Sequence, residues 1–222
     1  MKILFMMYVF MKLLQSHIVH KRSFRAIRPP GVPKVFVIGL PKTGTTSLHE
    51  FFKCGGRSSA HWKCIGKRRC GECIEYNVRR GRPPLQDCGD FDVYTQIDVD
   101  ADRNHSCYFP QVDALATLYR HYPGATYILN TRPFDHWNRS IHHWHDMYKR
   151  LRYKCRWPFV QANDTVFFRR LHEQSQEYVR AFQREHPEMH LVDIDIESNV
   201  TSNVLSSEFG ILEECWTQKN KS

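Results

Sequence analysis

Nine consecutive residues, Gly39-Leu40-Pro41-Lys42-Thr43-Gly44-Thr45-Thr46-Ser47, hold the densest chemistry in the chain. Gly39 and Gly44 permit a tight turn and close backbone approach. Lys42 supplies a point charge, and Thr45, Thr46 and Ser47 add hydroxyls. Between a strand and a helix, such a loop aims backbone N–H groups and the positive helix end at an anion. A nucleotide triphosphatase loop reads G-x-x-x-x-G-K-[ST]. Gly39 and Gly44 have that spacing, but Thr45 stands where the lysine belongs, and the lysine has moved to 42. A P-loop kinase or nucleotide triphosphatase is therefore the rival reading, with the misplaced lysine against it.

A second cluster of reactive residues is His61-x2-Cys64-x5-Cys70-x2-Cys73. It has tolerable spacing for zinc. Zinc is nevertheless the competing reading: the eight cysteines make an even set and the chain has a secretory-looking start, which favours disulfides and no metal site. Five of them, Cys54, Cys64, Cys70, Cys73 and Cys88, lie close together; Cys107, Cys155 and Cys215 follow. The pairing is open.

These groups need elements to position them. Lys34–Gly39 is a β-branched and aromatic run that predicts a buried parallel strand. Thr46–Lys53 predicts a helix, with Leu48, Phe51 and Phe52 on one face. Short strands are expected at 58–62 and 92–99, and 63–90 reads as an irregular, Cys-rich, basic insertion. Pro110–His121 predicts a helix and 125–130 a buried strand. Further helices are expected from Phe134 to Trp144 and over Thr165–Glu185. A last strand at 190–196 and a short helix at 205–212 close the pattern. Strands alternating with helices argue for an α/β domain with a mainly parallel sheet.

The length of 222 residues suits one domain, taken as 34–222. The formal net charge of +9 suggests an anionic ligand or surface without choosing among nucleotide, nucleic acid, acidic glycan and membrane. The charge is locally dense at Lys67-Arg68-Arg69 and Arg79-Arg80-Gly81-Arg82, where a solvated basic loop is the plain alternative. Residues 1–19 start positive and run apolar, too short for the ~20 residues of a spanning helix. They read as a signal peptide or a short signal-anchor, with a helix packed on the domain as the alternative. Residues 20–33 read as a basic, Pro-rich linker. Sequons at Asn104, Asn138, Asn163 and Asn199 give weak support for a secretory route.

The run Pro41-Lys42-Thr43-Gly44-Thr45-Thr46 matches P-[KR]-[ST]-G-[ST]-[ST]. The chain thus resembles the PAPS-dependent sulfotransferases, PAPS being 3′-phosphoadenosine 5′-phosphosulfate. That family carries a strand followed by Arg, with a Ser eight residues later. Here Tyr127–Arg132 is followed by Ser140 at that spacing. Trp137, Tyr122-Pro123 and the late Phe209-Gly210…Cys215-Trp216 resemble a subgroup with R-x4-W-x2-S. The match covers roughly 34–145, with weaker support to 216.

The resemblance implies a P-loop-type three-layer fold. It also implies that Pro41, Lys42, Thr43, Gly44, Thr45, Thr46 and Ser47 hold the 5′-phosphosulfate while Arg132 and Ser140 hold the 3′-phosphate. Transfer would run in line to a hydroxyl or amine without a metal. Lys42 would stabilise charge on the leaving phosphate, and a general base would take the acceptor proton. His61 and Asp98 are the two candidates for that base, with Asp100 and His105 behind them. The cytosolic members close over the nucleotide with an R-K-G-type segment. None is found here, and Lys219 and Lys221 are the nearest substitutes. A secretory start implies a Golgi enzyme with a carbohydrate acceptor, attached to the membrane through its N-terminus. A cytoplasmic enzyme would suit a small hydroxylated metabolite. No motif supports nucleic acid. A catalytically degenerate binding protein with the same fold is the non-enzymatic alternative.

Overall fold

The computed structural model describes residues 33–101 and 107–218. The expected leader (1–19), almost all of the linker (20–33), and Asn104, His105, Lys219 and Lys221 lie outside the described residues.

The order of elements is β1 (Val35–Val37), α1 (Thr45–Cys54), β2 (Ser59–His61), a 3-10 turn (Ile65–Lys67), α2 (Cys70–Val78), β3 (Val93–Thr95), α3 (Pro110–Asp113), α4 (Leu115–His121), β4 (Thr126–Thr131) and α5 (Phe134–His143). There follow α6 (Met147–Lys149), continuing as a π turn (Arg150–Lys154), then α7 (Phe167–Glu185), β5 (His190–Asp195), α8 (Thr201–Phe209) and a last 3-10 turn (Glu213–Cys215). The five strands form one sheet in the order β2-β3-β1-β4-β5. Every pairing is parallel.

Strand alternation builds two cores. Phe36, Tyr94, Tyr127 and Leu129 face one side and pack with Cys70, Cys73 and Ile74 of α2, Leu115 and Leu118 of α4, and Val179 of α7. Val35, Val37, Val93 and Ile128 face the other side and pack with Leu48, Phe51 and Phe52 of α1 and Leu205 of α8. The result is three layers, the α/β fold expected from the alternation of strands and helices. A third cluster, including Leu40, Phe109, Trp137, Ile141, Leu151, Trp157, Phe167 and Leu171, lies beneath the loop after β1.

Successive strands run to one edge after β1 and to the other after β4. Open α/β sheets bind ligands outside the carboxyl ends of the strands at such a switch point. Both the 39–47 loop and Arg132 emerge there.

Several boundaries differ from expectation. Residues 63–90 are not an irregular insertion, since they contain α2, whose Cys70, Cys73 and Ile74 are fully buried. The helix expected over 110–121 is broken at Ala114, where φ is −147°. The 92–99 strand stops at Thr95 because Gln96 takes a left-handed φ of 50°. The last helix is Thr201–Phe209, ended by Gly210 at φ 64°, in place of 205–212.

Disulfides join Cys54 to Cys215, Cys73 to Cys88 and Cys107 to Cys155. Cys73 is thereby removed from the zinc set suggested by spacing. Cys64 and Cys70 stay as buried thiols. Among the described residues no helix is long and apolar enough to cross a membrane.

Candidate active site

The loop after β1 is held from beneath by side chains. Asn130, in β4, accepts the Gly39 N–H at 2.8 Å through Oδ1. Its Nδ2 donates to Thr43 O and Thr43 Oγ1, both at 2.7 Å. The Thr43 hydroxyl donates to Leu40 O at 2.5 Å. The Trp137 indole N–H donates to Pro41 O at 2.9 Å, and the Gln111 amide donates to Gly39 O at 3.2 Å. Gly39 is required here, since an added Cβ would sit 2.0 Å from Asn130 O. Lys42 and Gly44 both take left-handed φ, 70° and 86°. For lysine that conformation costs energy, and it belongs to sites where surrounding bonds over-determine the backbone.

Above this base lies a cleft of about 630 Å³. Pro41, Lys42, Gly44, Thr45, Thr46 and Ser47 line it, joined by His61, Arg132 and Ser140. Thr43 does not; its hydroxyl is turned into the protein and it is 2% exposed. The first turn of α1, with the positive end of the helix, therefore opens into the cleft. Burial first, then the positive charge of Arg132, hold the Lys42 ammonium below the usual lysine range. Two cations thus face one partly enclosed space, a setting that favours an anion between them.

Arg132 follows β4 directly and is buried at 9% exposure. Its Nε donates to Glu197 Oε1 at 2.5 Å, and Glu197 Oε2 pairs with His136 Nδ1. His172 Nε2 donates to the Arg132 carbonyl at 2.8 Å. Ser140 sits on α5, two turns below Arg132 in sequence, and is also buried. The eight-residue spacing therefore brings a guanidinium and a hydroxyl to the same cleft.

His61 ends β2. Its Nδ1 lies 3.0 Å from Thr95 Oγ1, and its Nε2 lies 3.4 Å from Thr46 Oγ1. Burial, then the charge of His49, push His61 down to about 4, with Glu50 opposing weakly. The ring stacks on His49 at 5.1 Å between centroids. At neutral pH it is an uncharged imidazole facing the cleft.

Asp98 is placed differently. It is 6% exposed and outside the cleft lining, which passes from Gln96 to Asp100. Burial and then the neighbouring Asp100 raise Asp98 to about 7. Asp100 does reach the cleft, but Arg150 donates to it at 2.6 and 3.1 Å. Of the candidate bases among the described residues, only His61 combines cleft access with freedom from an ion-pairing cation.

Three residues that sequence reasoning missed hold the loop or its partner: Asn130, Gln111 and Glu197. A signal existed for Asn130, a polar residue within an otherwise apolar buried strand. Asn138, on α5, has a buried side-chain oxygen, whereas Asn163 and Asn199 are exposed. Among the described residues no group of three or more His, Cys, Asp or Glu is placed to hold a metal ion.

Among curated proteins, no match to this chain is found. The loop, the Arg132–Ser140 pair and the parallel sheet that positions them all fall inside residues 34–201, which match the family model described as a sulfotransferase domain, and the chain belongs to that family.

Proposed function

We propose that this sulfotransferase uses PAPS as donor and delivers the sulfuryl group to a carbohydrate hydroxyl in the secretory pathway. The carrying observation is one cleft faced by Lys42, Arg132 and a neutral His61.

The donor set fits a bisphosphorylated nucleotide. Backbone N–H groups at the start of α1, the Lys42 ammonium, and the Thr45, Thr46 and Ser47 hydroxyls form one anion cradle. Arg132 and Ser140 form a second. PAPS, when bound, supplies a sulfuryl group on a phosphate oxygen that leaves as the 3′,5′-bisphosphate. Lys42 and the loop N–H groups stabilise the charge that grows on that leaving oxygen. His61 Nε2 accepts the acceptor hydroxyl proton as the new S–O bond forms. The Asn130, Trp137 and Gln111 bonds fix the loop before the ligand arrives, so little reorganisation accompanies reaction.

Three disulfides and the exposed sequons support an oxidising, secretory setting. A secretory enzyme meets glycan hydroxyls. The test is turnover of labelled PAPS on a panel of oligosaccharides and small phenols, with calorimetric titration of 3′,5′-bisphosphate against ATP. Tighter binding of ATP, or sulfation of phenols alone, overturns the reading.

A further inference from the structure

Next to the cleft lies a surface that the transfer chemistry leaves unused. Between residues 62 and 82 the chain carries seven Lys and Arg against two Glu. The two glutamates are engaged with Arg69 and Arg79. Among the described residues, Arg68, Arg80 and Arg82 have no carboxylate partner, and all three are exposed. They gather round one half-exposed ring. The guanidinium carbons of Arg80, Arg82 and Arg68 lie 3.7, 5.8 and 5.9 Å from the centre of Tyr76.

Like charges held this close repel one another, so something fixed must hold them. The turn after α2 does so. Arg80 and Arg82 both donate backbone N–H bonds to Asn77 O, at 3.0 and 2.9 Å, around Gly81 at φ 65°. The buried Asn77 amide in turn donates to Pro84 O and Gln86 O at 3.1 and 2.6 Å. Cys73–Cys88 ties the same helix to the segment beyond. The patch is thus preorganised, which lowers the ordering cost of binding a charged chain.

Its position gives it a purpose. Arg69, next to Arg68 and at the start of α2, lines the cleft, as does Trp62. Trp62 is 43% exposed, with Lys63 Nζ 4.7 Å from its ring centre. An apolar ring at a cleft rim offers a stacking face to a sugar, and the cations beyond it offer contacts to acidic groups spaced along a chain.

We infer that the surface running from Trp62 through Arg68 and Tyr76 to Arg80 and Arg82 binds an anionic carbohydrate chain, bearing carboxylates or sulfates, that presents one sugar hydroxyl to the cleft. The inference rests on the sulfotransferase reading with a glycan acceptor. An RNA would meet the same charges, but continuity with a sulfuryl-transfer cleft favours the glycan.

The test is binding of the full chain to a fluorescent sulfated oligosaccharide, at several salt concentrations, without PAPS. The R68A/R80A/R82A variant is expected to bind at least about tenfold more weakly and with a shallower salt dependence, as lost ionic contacts dictate. Binding of 3′,5′-bisphosphate is expected to stay unchanged, which separates this surface from the donor site. The matched control R120A/R169A/R184A removes three exposed arginines elsewhere and is expected to bind like the parent. Equal losses in the two triple variants would reduce the effect to net charge and overturn the inference. Unchanged binding by the first variant would do the same, as would tighter binding of a charge-matched RNA. Bisphosphate binding that fails in the parent chain, with the sulfated chain still bound, would count against the donor assignment alone.

Discussion

Thr95 fixes which nitrogen of His61 carries the proton. The Thr95 hydroxyl has a single hydrogen, which it donates to Ala60 O at 3.0 Å. Toward His61 Nδ1, also 3.0 Å away, it acts only as acceptor. Nδ1 is therefore the protonated nitrogen, and Nε2 keeps its lone pair on the side of Thr46 and the phosphate loop. The acceptor nitrogen thus faces the cleft, as the base role proposed for His61 requires.

His61→Ala is expected to lower kcat by about 10²–10⁴, the usual worth of a positioned base, with bisphosphate affinity retained. Thr95→Val removes the acceptor for Nδ1–H and is expected to give a smaller loss of kcat. Wild-type turnover by the His61 variant would remove it from the mechanism.

Acid should act through the same ring. Burial holds His61 near 4 in the fold, against 6.5 for a free histidine. Between those values the unfolded chain binds more protons, so this residue's contribution to stability rises with pH and is lost on acidification from about 6.5 to 4. Denaturant midpoints measured across that window should fall on acidification, and His61→Gln should flatten part of the slope.

Asp98 gives the opposite sign. Its folded value near 7 exceeds the ordinary 3.8, so the fold binds the extra proton between them and loses stability as pH rises through 7. Asp98→Asn is expected to melt higher than the parent at pH 8 while keeping most of its turnover. A collapse of kcat in a well-folded variant would restore Asp98 as a base candidate.

Lys42→Ala is expected to cost about 10²–10³ in kcat. Arg132→Ala should instead erase the preference for a nucleotide with a 3′-phosphate over one without it. Equal losses for both nucleotides, measured by calorimetry, would contradict the assignment of Arg132.

Asn130→Ala removes the partner of the Gly39 N–H and of the Thr43 carbonyl, at a cost of about 1–3 kcal/mol for each buried orphan. Asn130→Asp keeps the acceptor but puts a carboxylate oxygen against the Thr43 carbonyl, and should be at least as damaging. Both should lower the melting temperature and weaken bisphosphate binding together.

The loop was legible because backbone geometry sets its spacing, whereas the Arg132–Ser140 pair was read from the resemblance to the sulfotransferases, and both residues line the cleft. A strand must end, turn on glycine and start a helix, and each step leaves a residue type behind. The layers were legible for the same reason: Val35, Phe36 and Val37 alternate between two cores. Helix α2 was not, because its buried face is Cys70, Cys73, Ile74 and Asn77, a mixture that only two specific partners, Cys88 and the Pro84–Gln86 backbone, make apolar or satisfied. Which of His61 and Asp98 reaches the cleft was hidden by Gln96. Its left-handed backbone breaks the strand period that would have told which way Asp98 points. The pairing of Cys73 with Cys88 and not with a metal likewise depends on tertiary placement.

The Cys54–Cys215 bond spans 161 residues and joins the last residue of α1, the helix that opens onto the phosphate loop, to the 3-10 turn after α8. A growing chain can form it only after those intervening residues have left the ribosome. Until then Cys54 is a thiol exposed to wrong partners, among them Cys64 and Cys70. The arrival of an oxidant once Cys215 has emerged, more than the local sequence, would then set how quickly the anchor of α1 is completed.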